Sequence, residues 1–327
     1  MDSFEAYLIE DEGNGVRAGF VRLRPDQLDD GDVSVRVRYA SVNYKDALAA
    51  SGRGRIIRRF PCVGGIDAAG VVEASGSSRF KPGDEVVVHS HGFGVSHHGG
   101  WAQWARVPAA WVTALPEGLT AEDAITLGVA GYTAALAIDL MQLNGCAPGR
   151  GKVLVNGATG GVASIAIDIL AQHGYEVVAA TSKPAEAAYL RELGATEVLA
   201  NTDLPIGSRP LESARWAAAV DSLGGDALAG LLRTMEKDAV VASLGNAAGL
   251  EFTSTVMPFI LRGVRLIGVN SDNEEDVRQR VWNRLAGDLR PRHLGRIRTV
   301  VPFHELPGVV QQLMAGGHRG RTVLEIP

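Results

Sequence analysis

Cysteine is scarce: the 327-residue chain carries only Cys62 and Cys146. They lie far apart and match no metal or redox spacing. That excludes a disulfide scaffold and a four-cysteine zinc lobe, and suits two small thiols in a reducing compartment. Positive charge is also in short supply. The formal net charge is -5, so nucleic acid and anionic membrane exert no general electrostatic pull. Any anionic ligand has to be held by a local basic patch. No run of about 18 apolar residues is read in the chain, so no membrane span is expected. The opening stretch, MDSFEAYLIEDEG, is acidic and reads as a strand rather than as a secretory signal. The expectation is a cytoplasmic protein with neither a nucleic-acid nor a membrane partner. Aromatics are few and glycines many, which suits an α/β enzyme with tight turns and not a disordered or fibrous chain.

At roughly 100–200 residues per domain, the length suggests two domains. The first part is β-rich. Ala6–Ile9 and Gly19–Leu23 nearly alternate, and Val33, Val35, Val37 and Tyr39 form a period-two run. Ala69–Ala74 and Glu85–His89 are short apolar runs joined by a turn at Lys81-Pro82-Gly83-Asp84. Many short strands of this kind suggest a compact, partly closed β-barrel. Near Leu119 the texture changes. Thr120 caps a helix with acids in its first turn, and a second helical stretch, Tyr132–Met141, follows Gly131. From Lys152 strands and helices alternate. Strands are expected at 152–155, 175–180, 216–221, 239–244 and 266–269, and helices at 162–173 and 185–193, as in a parallel sheet covered by helices. Charged helices at 274–289 and strands at 299–301 and 321–326 end the chain. Asp203–Pro210 reads as a loose loop. The expected division is 1–124, 125–265 and 266–327, with the last segment returning to the first.

The sharpest chemical signal is Val153–Ala163, a strand running through Asn156-Gly157-Ala158-Thr159-Gly160-Gly161-Val162 into a helix. A helix N-terminus offers free N–H groups and a positive dipole end, which suit a pyrophosphate. In the usual three-glycine register Ala158 and Ala163 take the outer places and Gly160 the middle one. Thr159, Gly160, Gly161 and Val162 are therefore candidate cofactor-binding residues; an ordinary strand–helix turn is the plain alternative. The next strand ends in Thr181-Ser182-Lys183, about twenty residues on, where an NAD-specific site would carry a ribose-binding acid. Two hydroxyls and a cation favour a 2′-phosphate instead, and so NADPH over NADH. The alternative is a solvated loop.

Two further stretches are unusual for loops: Ser41–Asp46, and 61–70 with the lone Asp67 in an apolar setting. Asp67 needs hydrogen-bond donors there. With these, the stretches NYKDALAASGRGRIIRRFP, GIDAAGVV, RFKPGDEVVV, NGATGGVAS, TVMPFILRGVRLIGVNS and GRT resemble one branch of the zinc-independent medium-chain dehydrogenases/reductases. That branch holds the acryloyl-CoA reductases, often named quinone oxidoreductases, and the resemblance covers essentially the whole chain. It implies a GroES-like β-barrel catalytic domain, a doubly wound Rossmann domain, a cleft between them and a homodimer. Zinc alcohol dehydrogenases of this superfamily place a Cys near Asn43–Asp46 and a Gly-His-Glu where this chain has Gly65-Ile66-Asp67, so no catalytic zinc is expected. His89, His91, His97 and His98 crowd one loop, but without a cysteine or an acid within it a polar loop is the simpler reading.

Hydride transfer to an enoyl thioester needs a bound nicotinamide, donors at the thioester oxygen and a proton for the α-carbon, but no metal. The resemblance places Tyr44 against nicotinamide and substrate. Tyr44 is read as donor or proton source, with Asn43 and Asp67 positioning the nicotinamide end; a mere lid role for Tyr44 is the alternative. Asn246, Ile260, Ser271 and Arg321 are implied as cofactor neighbours, although relatives often carry an apolar residue at the Asn246 position. Arg53, Arg55, Arg58 and Arg59 are a candidate seat for the phosphates of a CoA ester, or else a solvated loop. The leading function is NADPH-dependent reduction of a short 2-enoyl-CoA, best acryloyl-CoA. The alternatives are a quinone or small-enone reductase and a non-catalytic NADPH-binding protein.

Overall fold

The computed structural model describes residues 3–204 and 207–327. Strands β1 (Phe4–Asp11), β2 (Val16–Leu23), β3 (Val33–Val42), β4 (Cys62–Val63), β5 (Asp67–Ser75), β6 (Glu85–His89), β7 (Trp104–Val107) and β8 (Val112–Ala114) come first. β9 (Lys152–Val155), β10 (Glu176–Thr181), β11 (Glu197–Ala200), β12 (Trp216–Asp221), β13 (Met235–Ser243) and β14 (Arg265–Gly268) follow, and β15 (Arg298–Pro302) and β16 (Arg321–Glu325) come last. The helices are α1 (Tyr44–Ala50), α2 (Ala121–Leu143), α3 (Gly161–Gln172), α4 (Ala187–Glu192), α5 (Gly225–Arg233), α6 (Met257–Arg262), α7 (Glu275–Ala286), α8 (Leu294–Ile297) and α9 (Leu306–Met314). They sort into two compact units. The first runs to Val129 and takes in Asp272–Ala286 and Leu294–Pro327; the second is Ala130–Ser271 with Gly287–His293.

The first unit is built on alternation. Val33, Val35 and Val37 are buried, while Arg36 and Arg38 point to solvent, because successive strand residues face opposite sides of a sheet. β3 is the hub. It pairs antiparallel with β5, β7 and β16, in a seven-stranded sheet ordered β15-β16-β3-β5-β6-β8 with β7 beside β3. A three-stranded sheet, β2-β1-β4, completes this β-rich unit. Phe4, Trp101, Phe93, Phe303 and Leu306 pack in its core. Both cysteines are free thiols, and burial pushes Cys62 up to about 12 and Cys146 above its ordinary value. Neither is a ready nucleophile.

The second unit is a six-stranded sheet ordered β11-β10-β9-β12-β13-β14. Every neighbouring pair in it is parallel. The buried runs of β9, β10 and β12 suit strands covered on both faces. Strand order reverses between β9 and β12, which is where open α/β sheets form a ligand crevice beyond their carboxyl ends.

Two expectations need correction. Two helical segments were expected with Gly131 between them. They form one stretch, α2, broken instead at Gly128, whose φ is 47° and ψ -148°. The apolar content was also underread: α2 is long and apolar enough by composition to cross a membrane, but 89 % of its apolar window is buried within the protein, as in a core helix. Of the expected loose loop at 203–210, Pro205 and Ile206 lie outside the described residues.

Candidate active site

In the first unit, four polar side chains, Ser41, Asn43, Asp67 and Arg321, converge where β3 ends, β5 begins and β16 begins. Asp67 is fully buried and Arg321 nearly so, at 3 %. Arg321 Nη2 lies 3.5 Å from Asp67 Oδ2. Arg321 also donates to Ser41 Oγ at 2.7 Å, to Asn43 Oδ1 at 2.7 Å and to the Thr126 carbonyl at 3.0 Å. Asp67 accepts from the Ser41 hydroxyl, from Asn43 Nδ2 at 3.3 Å and from the Val129 N–H at 3.0 Å. A charge this far from water needs such a full set of partners. Arg321, implied by the resemblance as a cofactor neighbour, is engaged here in this internal network.

The break in α2 serves the same carboxylate. At Gly128 an added Cβ would meet Asp67 Oδ2 at 2.4 Å, and its positive φ is a conformation that suits glycine. The turn it makes aims the Val129 N–H at Asp67.

Asp46 was quoted within its stretch but given no role. It stands at the third position of α1 and accepts from the Asn43 N–H at 2.9 Å, from Asn43 Nδ2 at 2.9 Å and from the Ile66 N–H at 3.0 Å. This is the geometry of a capping residue reaching back to the helix start. The Asn-x-x-Asp spacing was the available signal. Burial, with Asp67 nearby, pushes Asp46 up to about 7 against the pull of those donors. The network clamps Asn43 from both sides. Tyr44, the first residue of α1, is 47 % exposed.

In the second unit, the turn after β9 has Gly157 at φ 60°, so the tight-turn role falls to Gly157 and not to Ala158. Ala158 is buried and donates its N–H to Ala180 O at 3.0 Å, which explains why alanine fits there. Gly160 is the N-cap of α3. Ser164 N–H bonds back to Gly160 O at 2.9 Å, which leaves the Gly161, Val162 and Ala163 amides without helical acceptors. Gly160 is exposed and Gly161 and Val162 half-buried, whereas Thr159 is buried. These open amides at the helix end, at the switch point, fit a pyrophosphate. At the end of β10, Thr181 is buried and its hydroxyl accepts the Lys183 N–H at 3.0 Å. Ser182 is exposed and Lys183 half-buried, and burial draws Lys183 below the usual lysine range.

Sequence reasoning missed a second buried knot here. Asn156 Nδ2 donates to Asp221 Oδ1 at 2.6 Å, Asn156 Oδ1 accepts the Ser222 N–H at 2.7 Å, and Ser243 Oγ donates to Asp221 at 3.2 Å. It ties the carboxyl ends of β9, β12 and β13 together. Asn246 and Ser271 follow the same ends of β13 and β14; Asn246 is exposed and Ser271 half-buried, and Ile260 on α6 is 67 % exposed.

The arginine segment does not act as one unit. Arg59 is bound to Asp29 and donates to Ser96 O at 3.1 Å, whereas Arg53, Arg55 and Arg58 are exposed. The histidines are likewise separately employed. His89 accepts from the Trp282 indole at 2.9 Å, His91 stacks on Trp111, His97 bonds to Arg106 O at 2.7 Å and His98 accepts the Val63 N–H at 2.9 Å. Among the described residues no three His, Cys, Asp or Glu side chains gather as metal ligands would.

Residues 29–117 match the alcohol dehydrogenase GroES-like domain family, and residues 161–287 match the zinc-binding dehydrogenase family. Over 99 % of both chains, the protein is 42 % identical to the acrylyl-CoA reductase AcuI of Ruegeria pomeroyi. It is 40 % identical, again over 99 % of both chains, to YhfP of Bacillus subtilis, named as a quinone oxidoreductase. The solved YhfP structure has NAD bound and superposes with a TM-score of 0.96 at 39 % identity, covering 99 % of this chain and 100 % of that one. The YhdH oxidoreductase of Salmonella enterica, in complex with NADP, also gives 0.96, at 40 % identity and the same coverage.

Proposed function

This chain belongs to the medium-chain dehydrogenase/reductase family, and from that premise we propose that it reduces the α,β double bond of a short 2-enoyl-CoA, acryloyl-CoA first among them. It is an NADPH-dependent oxidoreductase. The observation that carries the substrate reading is the full-length similarity to an acrylyl-CoA reductase. The name of the YhfP relative keeps a quinone as the second reading.

When bound, NADPH would supply a hydride for the β-carbon of the enoyl thioester, with a proton added at the α-carbon, so that the products are the saturated thioester and NADP⁺. The protein's part is to hold and polarise. The open first turn of α3 takes the pyrophosphate, and Ser182 with Lys183 takes the 2′-phosphate. Tyr44 is the hydrogen-bond donor or proton source at the substrate, on a helix whose start is fixed by Asn43 and Asp46. Asp67 and Arg321 act through Asn43 as positioning residues. The cytoplasm is the compartment this reading proposes.

Arg53, Arg55 and Arg58 are the cations available for the phosphates of the CoA tail; Arg59 is left out because Asp29 holds it. The test is the triple replacement by alanine. KM for the CoA ester should rise about a hundredfold, since three lost charge-assisted contacts at roughly 1 kcal/mol each sum to about 3 kcal/mol. KM for the truncated N-acetylcysteamine thioester should not move. An unchanged KM for the CoA ester would remove the arginines from the substrate site.

A further inference from the structure

Ser222 is the first residue after β12 and sits at the switch point of the sheet. Its backbone is locked: the N–H goes to Asn156 Oδ1 at 2.7 Å, and its carbonyl accepts from Ala247 N at 3.3 Å. Gly245 packs so closely that a Cβ there would stand 2.4 Å from Ser222 O. The side chain faces the turn that follows β9, since a Cβ on Gly157 would stand 3.3 Å from Ser222 Cβ and 3.9 Å from its Oγ. Yet Ser222 Oγ is buried with no hydrogen-bond partner among the described residues. Native proteins pair buried hydroxyls, and an orphan in a rigid setting calls for an explanation. As a residue Ser222 is half-buried, and it stands at the carboxyl end of β12, the side on which open α/β sheets bind ligands.

Which half of the dinucleotide it meets follows from the topology. The two halves lie on opposite sides of the switch point. The end of β10, with Ser182 and Lys183, is on one side and takes the 2′-phosphate of the adenosine half. β12 is on the other side. We propose that the Ser222 hydroxyl hydrogen-bonds to the nicotinamide-ribose half of NADPH, and so sets that half rather than the adenosine half. The proposal rests on the cofactor reading given above.

Two probes separate the halves: NADPH, and adenosine 2′,5′-bisphosphate, which lacks the nicotinamide and its ribose. Their dissociation constants are measured by calorimetry on the full chain. Ser222→Ala should weaken NADPH about tenfold and leave adenosine 2′,5′-bisphosphate unchanged. Ser222→Thr, which keeps the hydroxyl, should stay near the wild-type values. Unchanged NADPH binding in the alanine variant would overturn the proposal, as would equal weakening of both probes. A loss in the threonine variant as large as in alanine would overturn it too, by assigning the effect to packing. Wild-type protein that binds neither probe would instead sink the cofactor reading itself.

Discussion

At the scale of single residues, two buried titrating groups pull the first unit's pH response in opposite directions. His89 is buried against Trp282, and burial drives it down to about 3. Above its ordinary value of 6.5, both folded and unfolded chains hold a neutral imidazole and nothing is lost. As pH falls from there toward 3, the unfolded chain takes up a proton that the folded chain refuses. Stability is therefore lost across that window, by up to about 5 kcal/mol at roughly 1.4 kcal/mol per unit. Asp46, raised to about 7, works with the opposite slope: its cost to stability grows as pH rises from its ordinary value toward 7, then levels off. Thermal melts between pH 4 and 8 check the histidine. His89→Gln, which can still accept from the indole, should flatten the acid side of the profile. An equally steep acid loss in that variant would clear His89 of the effect.

At the scale of elements, what was legible was what has local grammar. Glu85–His89 and Trp216–Asp221 were read with their observed ends, because unbroken apolar runs bounded by turn residues state a strand plainly. The Thr120 cap was legible too, and its hydroxyl does accept the Asp123 N–H at 3.0 Å. Missed were the helices α1, α5, α6, α8 and α9 and the strands β4, β7, β8 and β11. α5 opens on Gly224-Gly225, both with positive φ, which reads as a loop signal, and α6 is only six residues long. In the site, Asp67 was picked out as a lone acid in an apolar stretch, and its donors are there; the roles of Asn43 and Arg321 came through family resemblance, not from spacing. They are 278 residues apart at the widest pair, and only folding shows that they share one network. The break at Gly128 was illegible for the same reason: its cause is Asp67, on a distant strand.

We propose that the end of β10 decides cofactor choice. Lys183→Ala should weaken NADPH binding roughly tenfold, the order expected for loss of a charge-assisted contact, and leave NADH binding as it was. Fluorescence titration of both cofactors measures it. Equal losses for the two would mean that the lysine serves the shared part of the dinucleotide.

At the scale of the whole molecule, β14 is the edge of the second unit's sheet. Val256, Ile260 and Leu261 near it are 64, 67 and 61 % exposed. An open edge bordered by apolar side chains invites pairing with another strand. A second copy joined edge to edge across a two-fold axis would satisfy it. Light scattering should give twice the 34.5 kDa chain mass; a monomer would end the dimer reading.

The central claim is the reaction, and the most direct measurement is NADPH oxidation by purified protein with EDTA present. Acryloyl-CoA, crotonyl-CoA and a simple quinone are compared as acceptors, with NADH as the control cofactor. The account predicts turnover of acryloyl-CoA with NADPH in preference to NADH, with propionyl-CoA as the product. Turnover of the quinone alone would contradict it, and would leave the exposed arginines without a CoA ester to hold.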